Sequence, residues 1–227
     1  MDFEQGVLLL IDKPLHWTSF DVVKKVKGIS RANKVGHAGT LDPLATGLLI
    51  LCTGKMTKKI DEYQAREKEY TGTFTLGVTT PCYDREQPED GTYPVDHITS
   101  DAIYAAAKTF TGPIQQTPPP HSAIKVGGKK AYELARKGKE VVLKQREVTI
   151  SVFEITDIQM PVISFRVVCS KGTYIRSLAH DFGKHLQSGA CLESLCRTRI
   201  GSFRLEDALS VEDFSASIKE EISKPNV

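Results

Sequence analysis

Apolar positions along this chain fall into short runs separated by turn residues. Gly6 to Ile11 is such a run, closed by Asp12, Lys13 and Pro14, and predicts a buried strand ending in a turn. Thr18 or Ser19 can cap a following helix whose apolar face is Phe20, Val22, Val23 and Val26, with Gly28 as its expected stop. Residues 30 to 47 hold Gly36, Gly39, Pro43 and Gly47 and predict a loop, after which Leu48 to Cys52 resumes as a strand. Glu69 to Gly77 alternates in strand fashion. Thr79 to Pro94 is polar and turn-rich, which predicts a surface loop, and Thr99 or Ser100 then caps a helix through Ile103, Tyr104, Ala107 and Phe110.

Three successive prolines end Gln115 to Pro120, so the chain is expected to leave its regular core there, with a short helix over Lys130 to Arg136. Val148 to Ile158 and Ile163 to Cys169 predict neighbouring antiparallel strands. Ile175, Leu178, Ala179, Phe182 and Leu186 recur at helical spacing, which makes Tyr174 to Leu186 an amphipathic helix with Arg176 in its first turn, off the apolar stripe. A terminal helix of acidic character is expected within residues 206 to 227, with disorder confined to Lys224 to Val227. Strands and helices do not alternate regularly and no internal repeat is evident, so an α+β sheet is predicted over a doubly wound fold.

With 227 residues, 40% of them apolar, one main domain is expected. The start Met1, Asp2, Phe3, Glu4 lacks the basic residues of a signal peptide, and no apolar run approaches the roughly 18 residues of a membrane span. Cytoplasmic location and no membrane association are the expectations. Cys52, Cys82, Cys169, Cys191 and Cys196 form an odd set without a C-x-x-C pair or a Cys/His ligand spacing, so they read as reduced thiols, and no metal or cofactor is expected. The net charge of +2 averages over an uneven distribution. Lys24, Lys25, Lys27, Arg31 and Lys34 lie between Asp21 and Asp42 with no acid among them, and Lys125, Lys129, Lys130, Arg136, Lys137, Lys139, Lys144 and Arg146 follow later against only Glu133 and Glu140. Such runs alone are more often solvated faces than nucleic-acid sites.

The most informative stretch is Gly36-His37-Ala38-Gly39-Thr40-Leu41-Asp42-Pro43-Leu44-Ala45-Thr46-Gly47. It closely resembles the catalytic loop of the TruB family of tRNA pseudouridine synthases. The resemblance continues in order through Asp12-Lys13-Pro14, Lys68-Glu69-Tyr70, Ser122-Ala123-Ile124-Lys125, Gly128-Lys129-Lys130-Ala131-Tyr132 and Cys169-Ser170-Lys171-Gly172-Thr173-Tyr174-Ile175-Arg176. It implies the pseudouridine synthase fold, a central, mainly antiparallel mixed sheet flanked by helices. It also implies a basic, thumb-like insertion over approximately residues 115 to 147 that grips an RNA stem-loop. Many family members carry a C-terminal PUA domain, for which this chain ends too soon, and residues 1 to 227 are read as the catalytic domain alone.

The implied reaction is isomerisation of a T-loop uridine of tRNA, at the conventional position 55, with no cofactor and no obligatory protein partner, by a monomer. By itself an Asp before Pro is commonly a turn residue bonding local amides. In company with the other motifs, Asp42 matches the essential carboxylate, which can attack ribose C1′, add to C6 of the base or help remove the C2′ proton. Tyr70 matches the active-site tyrosine that lies against the base, and Arg176 the arginine that pairs with the aspartate and keeps it ionised. Leu195 matches an apolar position of the base pocket. His37 is an RNA-contacting candidate, and Lys13 either buttresses the loop or meets phosphate. Tyr174, Lys58, Lys125, Lys129 and Lys130 are further substrate-binding candidates, and Arg197, Arg199 and Arg204 could extend the basic track. Thr80-Pro81-Cys82-Tyr83-Asp84 departs from the usual threonine and aspartate pattern, with Asp84 keeping its second aspartate. Two rivals are a guide-RNA-dependent isomerase of ribosomal RNA, which needs the PUA region, and a catalytically idle RNA chaperone, which would not need Asp42, Tyr70 and Arg176 together.

Overall fold

The computed structural model describes residues 1–122, 124–135 and 142–223. In chain order its elements are β1 (Leu8–Lys13), α1 (Ser19–Ser30), β2 (Val35–His37), β3 (Ala45–Thr53), α2 (Ile60–Ala65), β4 (Lys68–Leu76), the short pair β5 (Val78–Thr79) and β6 (Gly91–Thr92), α3 (Ser100–Thr109) and β7 (Gly112–Gln116). There follow β8 (Lys125–Val126), β9 (Lys129–Lys130), α4 (Ala131–Ala135), β10 (Arg146–Gln159), β11 (Val162–Cys169), α5 (Ile175–His185), β12 (Ala190–Ile200), β13 (Phe203–Arg204) and α6 (Val211–Ser223). The strands make a large, mostly antiparallel sheet, so the α+β expectation holds. The chain divides into two compact units, Met1–Tyr70 with Leu195–Val227, and Thr71–Ser194.

In the first unit β3 pairs antiparallel with β1 and parallel with the end of β12, Leu195 lying opposite Ala45 and Arg197 opposite Gly47. Leu9, Ile11, Leu49 and Leu51 project to one face, where Val22, Val23 and Val26 of α1 and Val211, Phe214 and Ile218 of α6 cover them. Leu48, Ile50 and Cys52 project to the other, against Ala38, Tyr63 and Ile200. Burial on both faces explains why β3 reads as a continuous apolar run. Thr18 caps α1 in a capping box with Asp21, and Ser19, the other candidate cap, is used elsewhere. Gly28 does not end α1. The helix runs on to Ser30 and stops where Arg31 turns left-handed at φ 55°, since one interior glycine costs only about 1 kcal/mol against the burial of three valines.

In the second unit β4, β11, β10 and β7 lie side by side, with β10 antiparallel to both β11 and β7. Phe74, Phe153, Phe165 and Phe182 interlock at centroid separations of 4.3 to 6.4 Å. The expected insertion departs after β7 and returns at β10, where Gln116 pairs with Arg146, so its two roots are adjacent strand positions. It holds the β8–β9 hairpin and α4, while Pro118 and Pro119 pack inward rather than into solvent. Arg136, Lys137 and Lys139 lie outside the described residues, as do Ala123 and Lys224 to Val227. The segment from Thr79 to Pro94 is less of a surface loop than its composition predicts: Thr80, Cys82 and Asp84 are buried.

Candidate active site

Asp42 occupies the turn between β2 and β3, and the residues around it are tied down from several directions. Ser19 Oγ accepts from the Leu41 amide at 2.8 Å and donates to the Leu41 carbonyl at 3.2 Å, so the start of α1 is fastened to the residue before the aspartate. After the aspartate, the Pro43 carbonyl accepts from the His16 amide at 2.8 Å and lies 3.5 Å from Lys13 Nζ. Asp42 O accepts from the Ala45 amide at 3.0 Å, which closes the turn. Irregular backbone has no ladder of its own, and these bonds supply the partners that a sheet would otherwise give. Asp42 itself is half-buried, in a loop held by its neighbours.

Two fully buried cations stand behind that loop. Lys13, at 0% exposure, gives its ammonium to the carbonyls of Pro14 (2.9 Å), Trp17 (2.6 Å) and Pro43 (3.5 Å). Of its two expected roles, this burial and these carbonyl partners are those of a loop buttress. Burial pulls its pKa down to about 8, with the Asp42 charge pulling upward and the Arg197 charge downward. Arg197, at 1% exposure on β12, donates from Nε to the Leu48 carbonyl (2.8 Å), from Nη2 to Gly39 O (3.1 Å) and from Nη1 to Thr40 O (3.5 Å). The expectation that Arg197 extends a basic surface is corrected, because its guanidinium is spent inside on the glycine turn ahead of Asp42. Arg199 departs from that expectation as well, pairing with Glu67 at 3.0 Å and donating to Gly201 O at 2.8 Å, while Arg204 is exposed. The missed signal was an arginine among the buried positions of a strand.

Gly47 completes the packing. Its φ of 101° suits glycine, and a Cβ there would fall 2.4 Å from the Arg197 carbonyl oxygen. His37 is half-buried at the end of β2. Burial first, and Arg197 second among the lowering causes, depress its pKa against a Gly39 backbone hydrogen bond that raises it. Tyr70 lies on β4 at 8% exposure, Leu195 is buried beside Ala45, and Lys58 is exposed on the 3₁₀ turn Gly54–Lys59.

The second unit holds Arg176. It sits in the first turn of α5 but is only 5% exposed, because Nη1 donates to Cys82 O (3.2 Å), Nη2 donates to His121 O (3.1 Å) and Nε lies 3.5 Å from a carboxylate oxygen of Asp84. Asp84, whose role the sequence left open, is thus the buried acid beside this arginine, and it also caps the Glu86 amide at 2.9 Å. Tyr174 is the N-cap residue of α5, with the Arg146 guanidinium 4.7 Å over its ring. Lys125 and Lys130 face each other in the β8–β9 hairpin, as do Val126 and Lys129. Among the described residues no group of three His, Cys, Asp or Glu side chains could hold a metal ion. In the first unit the arrangement offers a carboxylate in a braced turn, a group suited to nucleophilic or proton-transfer chemistry.

A sequence profile described as TruB family pseudouridylate synthase (N terminal domain) matches residues 27–175. Proteins named tRNA pseudouridine synthase B from Phocaeicola vulgatus and Parabacteroides distasonis are 54% identical over 221 residues (94% of each chain) and 53% identical over 230 residues (99% of this chain, 98% of the relative). Among solved structures, a chain from "Crystal Structure of a Cbf5-Nop10-Gar1 Complex" superposes with a TM-score of 0.75 at 29% identity, over 98% of this chain and 58% of that one. A chain from "Structure of H/ACA RNP bound to a substrate RNA containing 2'-deoxyuridine" gives a TM-score of 0.72 at 27% identity, over 98% and 57%. The present chain therefore spans somewhat over half the length of those solved chains. Identity above one half along nearly all of both sequences, together with the matched profile, shows that the chain belongs to the TruB family of tRNA pseudouridine synthases, isomerases that make pseudouridine in tRNA.

Proposed function

We propose that Asp42 is the catalytic carboxylate for a uridine flipped out of the tRNA T-loop. The observation that carries this reading is the bracing of its turn: Leu41 and Pro43 on either side, and Gly39 and Thr40 ahead, are all bonded to side chains or backbone of the first unit, while Asp42 itself is half-buried rather than closed off from solvent. A preorganised anion needs little reorganisation when the base arrives. The reaction breaks the bond from C1′ to N1, rotates the uracil and joins C5 to C1′. Attack on C1′, addition to C6 and removal of the C2′ proton all begin from an ionised carboxylate.

Arg176 keeps that carboxylate ionised and oriented, and Tyr70 lies against the base with its hydroxyl placed to assist loss of the C5 proton. Leu195 contributes apolar surface to the base pocket, and His37, held neutral by burial, contacts RNA as a ring rather than as a cation. Extruding a stacked uridine costs about a few kcal/mol, which binding elsewhere must offset. Lys24 and Lys27 are exposed on α1 with Arg31 just beyond, recurring at the spacing of one helix face, and together with Lys58 and the basic insertion they supply phosphate contacts to a T-arm stem-loop.

The test is Asp42→Asn on unmodified tRNA transcript, with the modified position mapped. The variant should bind the transcript within about threefold of the parent and form no pseudouridine over many turnovers, since the amide keeps the shape without the anion. Multiple turnover by the variant, or parental product at a site outside the T-loop, would overturn this reading.

A further inference from the structure

We infer that Gln116 is a positioning residue for Arg176, coupling the root of the RNA-gripping insertion to the first turn of α5. This deepens the proposed function and rests on its assignment of Arg176. Gln116 is the last residue of β7 and has 0% exposure. Its carboxamide grips a single residue at two points: Oε1 accepts from the Tyr174 amide at 2.8 Å, and Nε2 donates to the Tyr174 carbonyl at 3.0 Å. That is the bonding one strand residue would give another, made here by a side chain.

The grip falls where α5 lacks a side-chain cap of its own. Tyr174 is the N-cap residue and makes no side-chain cap bond, although serine, threonine, asparagine or aspartate ordinarily does so at that position. Arg176 follows two residues later, so the angle at which the chain enters the helix decides where its guanidinium lies. Neighbouring contacts run between the same two segments. Ser177 Oγ donates to Thr117 O at 2.7 Å, and Arg176 Nη2 donates to His121 O at 3.1 Å. At the other root of the insertion, Arg146 pairs with Gln116 across the strands, donates to the Gly172 carbonyl and covers the Tyr174 ring.

Both roots of the insertion therefore hold one stretch, from Gly172 to Ser177, and Gln116 is its innermost polar fastening. An RNA held by the insertion steadies these roots, and through them the arginine. Removing the grip should harm the chemical step far more than binding.

The experiment uses full-length protein and unmodified tRNA transcript, measuring the single-turnover rate constant at saturating enzyme and, separately, the dissociation constant. Gln116→Leu removes both bonds at similar volume. Gln116→Glu keeps the acceptor for the Tyr174 amide but turns a carboxylate toward the Tyr174 carbonyl, and serves if the leucine variant is unfolded by thermal melting. A displacement of about 1 Å at a reacting group can cost about a hundredfold, so the rate should drop between about tenfold and a hundredfold while affinity changes by less than about threefold. The decisive comparison is in an Arg176→Ala background. There the second substitution should add less than about a twofold loss, because Gln116 has no arginine left to place. Multiplicative losses, or a parental rate in a folded Gln116 variant, would overturn the inference. A parental rate for Arg176→Ala alone would overturn it by a different route, through the role given to Arg176.

Discussion

Arg197 is the sharpest point at which structure and basic composition disagree, and its replacement distinguishes a loop brace from a phosphate contact. Arg197→Met removes the charge together with its desolvation cost, so the loss is that of the partners it leaves. Gly39 is half-buried and Thr40 exposed, so their carbonyls can take water, whereas Leu48 is fully buried. One buried carbonyl losing a donor costs about 1–3 kcal/mol, which lowers Tm by roughly 3–10 °C in a chain of this size. Arg197→Lys is expected to be no milder. An ammonium cannot reach the Leu48, Gly39 and Thr40 carbonyls as the planar fork does, yet the charge stays buried with fewer partners. Thermal melts should rank the parent above Met and Met at or above Lys. In both variants the glycine turn before Asp42 loosens, and the single-turnover rate should fall about ten- to a hundredfold with tRNA affinity nearly unchanged. The opposite pattern would refute the reasoning: Lys near parental, and Met showing an unchanged rate with weaker binding whose salt slope is smaller by about one.

Lys13 carries a pH signature. Its folded pKa of about 8 lies below its ordinary 10.5, so between those values the unfolded chain holds a proton that the folded one lacks, and this group's contribution to stability rises with pH across that window. Activity should move the other way, with an alkaline limb near pH 8 as the charge near Asp42 is lost, and a limb that persists in Lys13→Met would show another group to be responsible. Arg197→Met should move that limb upward, since a neighbouring positive charge is removed. Asp84→Asn leaves Arg176 without its buried acid, with both side chains 5% exposed or less; a loss of about 3–5 kcal/mol in denaturant titration is expected, and a loss under about 1 kcal/mol would count against the pair. Lys24→Ala with Lys27→Ala should weaken tRNA binding and flatten its salt dependence while leaving the single-turnover rate intact, and an unchanged salt slope would remove α1 from the RNA surface.

Much of the framework was legible because periodicity and capping are local. Thr18 and Thr99 cap where expected, β10 and β11 pair as predicted, and the stripe of α5 was visible in its spacing. What escaped depends on partners distant in the chain. β2 exists only because Val35 to His37 pairs with Thr53 to Leu51. β12 was not predicted, since Ala190–Ile200 breaks alternation with Glu193 and Ser194 exposed and Arg197 buried. The turn-rich stretch around Asp84 reads as surface, yet Thr80 Oγ1 and Cys82 Sγ both bond the Asp84 carbonyl and fold it inward toward Arg176. The candidate residues themselves came from motif resemblance, and the burial of Lys13 among carbonyls, that of Pro43 distant in the chain, could not be read from its sequence.

One physical device recurs in both units and accounts for these corrections. The candidate groups stand on turns and helix ends, where the backbone has carbonyls but no ladder to receive them. Lys13 and Arg197 satisfy such carbonyls around Asp42, and Arg176 satisfies those of Cys82 and His121 while pairing with Asp84. A long cationic side chain suits that task because it brings several donors and no acceptor. Charge composition therefore misleads in a particular direction: some of the basic residues that suggest an RNA surface hold the loops instead. The cations left for RNA should be those on regular, exposed faces, such as Lys24 and Lys27, where the backbone already has its partners.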